Sequence, residues 1–133
     1  MKVFALRLKP NEDLKQSLTE FVSANHLQSG FILTAVGSFQ HVTLRFAGHP
    51  CGQAFKSLFE LISLVGTLSP DGVHLHLAVA DASGKIIGGH LMNGCIIYTT
   101  AEIIIGSDED LKFLRTFDGE TGYNELEVVK QHH

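Results

Sequence analysis

The sequence predicts a single α+β domain dominated by antiparallel strands. Three observations carry that prediction. One early segment places Leu14, Leu18, Phe21 and Val22 at helical spacing, so one face packs on a sheet. Beyond Gly30 the chain runs through successive segments rich in β-branched and aromatic residues. Glycine, proline, serine and aspartate punctuate those segments, and no repeat, linker or low-complexity tract interrupts residues 1–133.

The elements follow in order. Lys2 to Leu8 alternates well enough for a strand. Pro10-Asn11-Glu12-Asp13 opens the helix, with Asn11 as N-cap and the two acids at the positive end of the dipole. His26 suits its negative end, and Gly30 ends the segment. Phe31–Phe39 and His41–Phe46 read as an antiparallel pair, and Ala47–Ala54 as a loop. Strands follow at Phe59–Leu68, around His74, before His90, and from Cys95 to Ile105. Ser107-Asp108-Glu109-Asp110 resembles a capping box for a helical turn, whereas Leu111-Lys112-Phe113 also fits an edge strand. Asp118–Gly122 is a turn, and Tyr123–Val129 a final strand.

Composition excludes several classes. With 44% hydrophobic and 18% charged residues, this is the composition of an ordinary soluble domain rather than a disordered chain. No stretch approaches the roughly 20 apolar residues of a membrane span, and Met1–Arg7 lacks a signal-peptide core, so a cytoplasmic location is expected. Cys51 and Cys95 then read as free thiols. The formal net charge is −4 and the ten basic residues are scattered singly, which weighs against direct contact with a phosphate backbone. No phosphate-binding glycine loop is present. His132-His133 is either a native end or the remnant of a tag.

The motif that carries chemistry is His74-Leu75-His76 followed by Gly88-Gly89-His90-Leu91. Residues two apart on a strand share a face, so His74 and His76 look out together while Val73, Leu75 and Leu77 look the other way. A three-residue loop, Ala82-Ser83-Gly84, sets Asp81 opposite Lys85 and His76 opposite His90. Three imidazoles then share one face. A two-residue loop, or a bulge at Gly88-Gly89, would send His90 elsewhere.

Three neutral imidazoles around one open position are the ligand set of catalytic zinc sites. Iron or another divalent metal suits them too, because imidazole is not selective. Glu102 and Glu60 lie in apolar strands and are the candidate acid/base residues beside such a metal. An ion pair with Arg45 or Arg7 is the competing role for either carboxylate. Asp81 caps the hairpin turn, and the adjacency of His49 and Cys51 does not make a nucleophilic pair. The strands from Phe59 and Cys95 are more apolar than one helix can cover, which points to burial between subunits.

Val65-Gly66-Thr67-Leu68-Ser69-Pro70-Asp71-Gly72-Val73-His74-Leu75-His76, with Gly88-Gly89-His90-Leu91 and Gly94 to Glu102, resembles the plant and prokaryote conserved (PPC) domain, also called DUF296. Arg7–Leu14 matches as well, with Asn11 where a glycine is usual, as do Val36-Gly37-Ser38 and Thr121–Leu126. The resemblance implies a two-layer α/β sandwich, a mostly antiparallel mixed central sheet with one main helix, and a homotrimer. It implies metal binding through His74, His76 and His90. It also implies a DNA-binding or regulatory role, although the Arg-Gly-Arg-Pro core of the plant AT-hook is missing from this sequence. A similarity of that fold to acetolactate decarboxylase raises the alternative of a metal-dependent hydrolase or lyase on a small oxygenated molecule. A third role is structural, with the metal stapling the hairpin.

Overall fold

The computed structural model describes residues 1–131, so His132 and His133 lie outside the described residues. The order is β1 (Lys2–Leu8), α1 (Leu14–Ala24), β2 (Gly30–Arg45), β3 (Gln53–Phe55), β4 (Phe59–Ser69), β5 (Gly72–Ala80), β6 (Ile86–Leu91), β7 (Ile96–Ser107), β8 (Leu111–Asp118) and β9 (Tyr123–Lys130). The architecture is α+β: a large sheet in the order β1-β7-β2-β4-β5-β6, with β3 on β2 and one helix. Every named strand pairing among the described residues is antiparallel, with no parallel component to the sheet. A separate two-stranded sheet, β8-β9, follows at the end.

The sheet closes on itself through β2. This strand is 16 residues long; it pairs with β4 along its first part and meets β6 at its far end. There Leu44 stands opposite Leu91 and Arg45 opposite His90, so β2, β4, β5 and β6 form a ring. Register shifts between Ile32 and Thr34 and around Gly37–His41 bend the strand enough to do this. Gly89 is needed where the ring shuts, because a Cβ there would lie 2.8 Å from the Arg45 carbonyl oxygen. Leu44, Leu68, Leu75, Leu77, Val79 and Leu91 fill the core. The helix adds Leu14, Leu18 and Val22 to it.

Several local expectations change. Phe31–Phe39 and His41–Phe46 are one strand rather than a hairpin, because the small residues Gly37 and Ser38 sit at a bulge and not at a reversal. Gly30 starts that strand instead of ending the helix. The N-cap is Asp13, whose carboxylate accepts from the Gln16 amide at 3.0 Å and from the Gly94 amide at 2.7 Å. Asn11 is held instead at φ 74 with its amide on the Ile97 carbonyl. Residues 108–110 make a turn, not a helix, and Leu111–Phe113 begins β8, the strand alternative. Cys95 is buried and Cys51 exposed, and both are free thiols. Burial pushes the Cys95 thiol up to about 11. No helix among the described residues is long and apolar enough to cross a membrane.

Candidate metal centre

The turn between β5 and β6 sets the site. The Asp81 amide donates to the Lys85 carbonyl at 2.9 Å, and Gly84 takes φ 83, which favours glycine. Asp81 Oδ1 accepts from the Ser83 hydroxyl, the Ser83 amide and the Lys85 amide, at 2.7, 2.9 and 3.0 Å. Those hydrogen bonds, the Ser83 hydroxyl foremost, hold the Asp81 carboxyl below its ordinary range. This is the three-residue loop that the register argument requires. His76 accordingly pairs with His90, and no register shift occurs at Gly88-Gly89.

All three imidazoles gather on the outer face of the ring. Ring centroids lie 5.3 Å apart for His74–His76 and His74–His90, and 5.8 Å for His76–His90. One nitrogen from each ring falls within 4.8 Å of the others. Leu75 and Leu77, alternating with the histidines, point inward and are 1% exposed. Directly opposed residues share a face, so the registers give a row across four strands: Val65, His76, His90, Arg45. In the adjacent row Thr67 stands opposite His74. Gly66 between these rows has φ 140, and a Cβ there would collide with the His74 carbonyl oxygen, so the close approach of β4 to β5 depends on it.

The histidines line three adjoining clefts, two of which share Arg45, His74 and His90. One, of about 470 Å³, is also lined by Phe46, Ser63, His76 and Gly89. The other, of about 440 Å³, reaches Asp71, Arg115, Tyr123, Asn124 and Glu125. Burial, followed by the charge of Arg45, lowers the His90 pKa to about 4. His74 is lowered by burial and by Arg115 and His76, with Glu125 pulling the other way. These two rings therefore present neutral lone pairs at neutral pH, the form that binds a cation.

The donor set fits a divalent ion. Ligand distances of about 2.0–2.1 Å would draw the three nitrogens somewhat closer than they stand, a movement within reach of imidazole rotation. Three protein ligands would leave such an ion free to take a further ligand.

The two carboxylates expected beside the metal lie elsewhere. Glu102 is exposed on β7, opposite Arg7 and Val36, and Glu60 is exposed on β4, opposite Ser38 and Ala80. Neither lines the clefts around the histidines, and exposure removes the burial cost that singled them out. Neither forms an ion pair among the described residues, where Arg7 instead donates to the Thr100 hydroxyl. Besides Asp71, the charged residues that line these clefts are Arg45, Arg115 and Glu125. Arg115 is fastened there, its Nη2 donating to Thr67 Oγ1 at 2.9 Å and its amide to the Asp71 carboxylate at 3.0 Å. Long-range pairings bring these three in. Local sequence does not mark them: Arg115 lies between Leu114 and Thr116, and Glu125 between Asn124 and Leu126.

A curled antiparallel sheet with one helix and three histidines on its outer face defines a candidate metal-binding α+β domain. The chain belongs to the family described as the Plants and Prokaryotes Conserved (PCC) domain, the PPC family above, whose model matches residues 1–109. It is 49% identical over 130 residues to the "Bifunctional protein GlmU" of a Synechococcus species, covering 98% of this chain and 21% of that protein. The chain thus spans about a fifth of the length of the curated relatives it matches. A solved hypothetical protein from Salmonella enterica superposes with a TM-score of 0.97 at 40% identity, covering 98% of this chain and 95% of that one. A metal-containing protein from Archaeoglobus fulgidus shares the fold, with a TM-score of 0.78 at 22% identity over 95% and 93% of the two chains.

Proposed function

We propose that this chain binds one divalent metal ion per subunit through His74, His76 and His90, zinc first and iron as the alternative. The observation that carries the reading is the set of three imidazole nitrogens within 4.8 Å of one another, on rings that line a cleft. A bound divalent ion supplies Lewis acidity and lowers the pKa of a coordinated water towards about 7. Around it, Glu125, which lines the adjoining cleft, would accept or return a proton in place of Glu102 and Glu60. The role this supports best is a metal-dependent hydrolase or lyase acting on a small oxygenated molecule. Cleft size and a net charge of −4 favour it over direct DNA contact, which rests on family analogy.

Self-association into the homotrimer is part of the same reading. Val3, Val36, Ile62 and Tyr98 are each 45–58% exposed on strands of the main sheet. Apolar surface of that kind suits a subunit interface. The trimeric count itself comes from the family resemblance.

Metal analysis of untagged protein reconstituted at neutral pH tests the reading. One equivalent of metal is expected in the natural chain and under a tenth in His76→Ala. Stoichiometric metal in that variant would overturn the site. A filter-binding assay at two salt concentrations separates the DNA role, since affinity at low salt would restore it. Light scattering gives the subunit count.

A further inference from the structure

We propose that the metal centre is built to receive a small oxyanion, a carboxylate- or phosphate-bearing molecule, gripped between Arg45 and Arg115 while it reaches the open metal position. This deepens the metal reading and rests on it. Arg45 stands directly across from His90 at the ring closure, so its side chain rises from the same face as the three ligands. It is half-buried, lines both clefts, and makes no side-chain hydrogen bond or ion pair among the described residues. A guanidinium in that state has its planar set of donors free for an incoming anion.

Arg115 approaches from the opposite side. It comes from the β8–β9 hairpin, which lies beyond the span matched by the family model. Its bond to Thr67 Oγ1 uses one Nη2 proton and leaves the rest of the fork available. Since Thr67 opposes His74, this guanidinium stands beside the other end of the histidine cluster. One arginine flanks His90 and the other flanks His74, with the second cleft running between them.

The charges around that cleft select the ligand's sign. Asp71 and Glu125 are its two carboxylates, and Asp71 is already engaged by the Arg115 amide. Two guanidiniums and a divalent ion outweigh them by two charges, which suits a mono- or dianion and disfavours a cationic ligand. Tyr123 and Asn124 on the hairpin wall offer a hydroxyl and an amide to whatever polar groups the anion carries besides.

Calorimetric titration of the zinc-loaded protein tests this, with malonate in one arm and inorganic phosphate in the other, at constant ionic strength. One anion per zinc is expected, and the tighter arm identifies the headgroup. Arg115→Gln and Arg45→Met should each weaken it by about 10–100-fold, the usual loss for a charge-assisted hydrogen bond. Zinc content should stay at one equivalent, and Arg7→Gln, on β1 and outside both clefts, should leave affinity unchanged. Because Arg45 is half-buried, Arg45→Lys serves as its second variant and should fall between the two. Full zinc occupancy with no anion binding, or with binding indifferent to both arginines, overturns the proposal and leaves the metal site standing. Failure to take up zinc overturns the metal reading and this proposal together.

Discussion

The β5–β6 hairpin is paired on both sides within a closed ring of strands, whereas the β8–β9 hairpin pairs only with itself. In the first, Leu75, Leu77, Val79 and Leu91 are at most 1% exposed. In the second, Phe117, Tyr123 and Val128 are 71%, 68% and 52% exposed. Both contribute to one cleft. The embedded hairpin supplies the histidines, whose mutual geometry must be kept to fractions of an ångström for an ion to be held. The peripheral hairpin supplies Arg115 and Glu125, which meet a ligand of variable shape. A hairpin with few buried contacts is drawn from the low-stability end of the molecule and can adjust to that shape.

The sharpest way to break this division is to remove one ligand from the embedded hairpin. His90→Ala should lower zinc affinity by at least about 100-fold, since even the outer partners of metal ligands typically cost 10–100-fold. Competition with a chromophoric chelator measures it. By contrast, Thr67→Val on β4 removes the hydrogen bond that holds the guanidinium of the peripheral Arg115 and should change zinc affinity by less than about 3-fold. If the two substitutions weaken zinc equally, the hairpins do not divide the work as described.

Stability should divide the same way. Leu75→Ala empties a fully enclosed position and should cost about 2–5 kcal/mol in urea unfolding. Phe117→Ala, at 71% exposure, should stay within about 0.5 kcal/mol. A large loss from Phe117→Ala, together with a smaller particle by light scattering, would place β8–β9 within a subunit interface.

The same contrast explains what could be read in the sequence. The histidine register was legible because everything that sets it is local: a period of two along β5, and an Asp81 turn that saturates its own carboxylate with neighbouring donors. The helix and most strands follow from periodicity of the same short range. What stayed hidden depends on pairings far apart in the chain. Nothing near Arg45 announces that β2 will curl until its last residue faces His90, nor that bulges will absorb Gly37 and Ser38 without reversing the strand. Arg115 reaches Thr67 across 48 positions, and no motif encodes that contact. Glu60 and Glu102 misled for the converse reason. Apolar neighbours in sequence suggested burial, yet alternation turns both carboxylates to the exposed face while Leu61, Ala101 and Ile103 turn inward.

The last expected effect concerns pH, and it separates the histidine face from the turn that organises it. In the metal-free protein His90 resists protonation down to about 4, against an ordinary value of 6.5 in the unfolded chain. Between those values the unfolded chain binds the proton more readily, so folding stability falls as pH drops from 6.5 towards 4. His74 is lowered too and adds in the same direction. Asp81 has a depressed carboxyl, so its contribution is intact above the ordinary 3.8 and is lost only as pH falls below that. Thermal melts of chelator-treated protein should therefore show two separate declines. His90→Gln should flatten the first and spare the second, while Asp81→Asn should spare the first. An unchanged slope between pH 6.5 and 4 in His90→Gln would mean that its imidazole is as well solvated as in the unfolded chain, and the electrostatic account of the cleft would have to be abandoned.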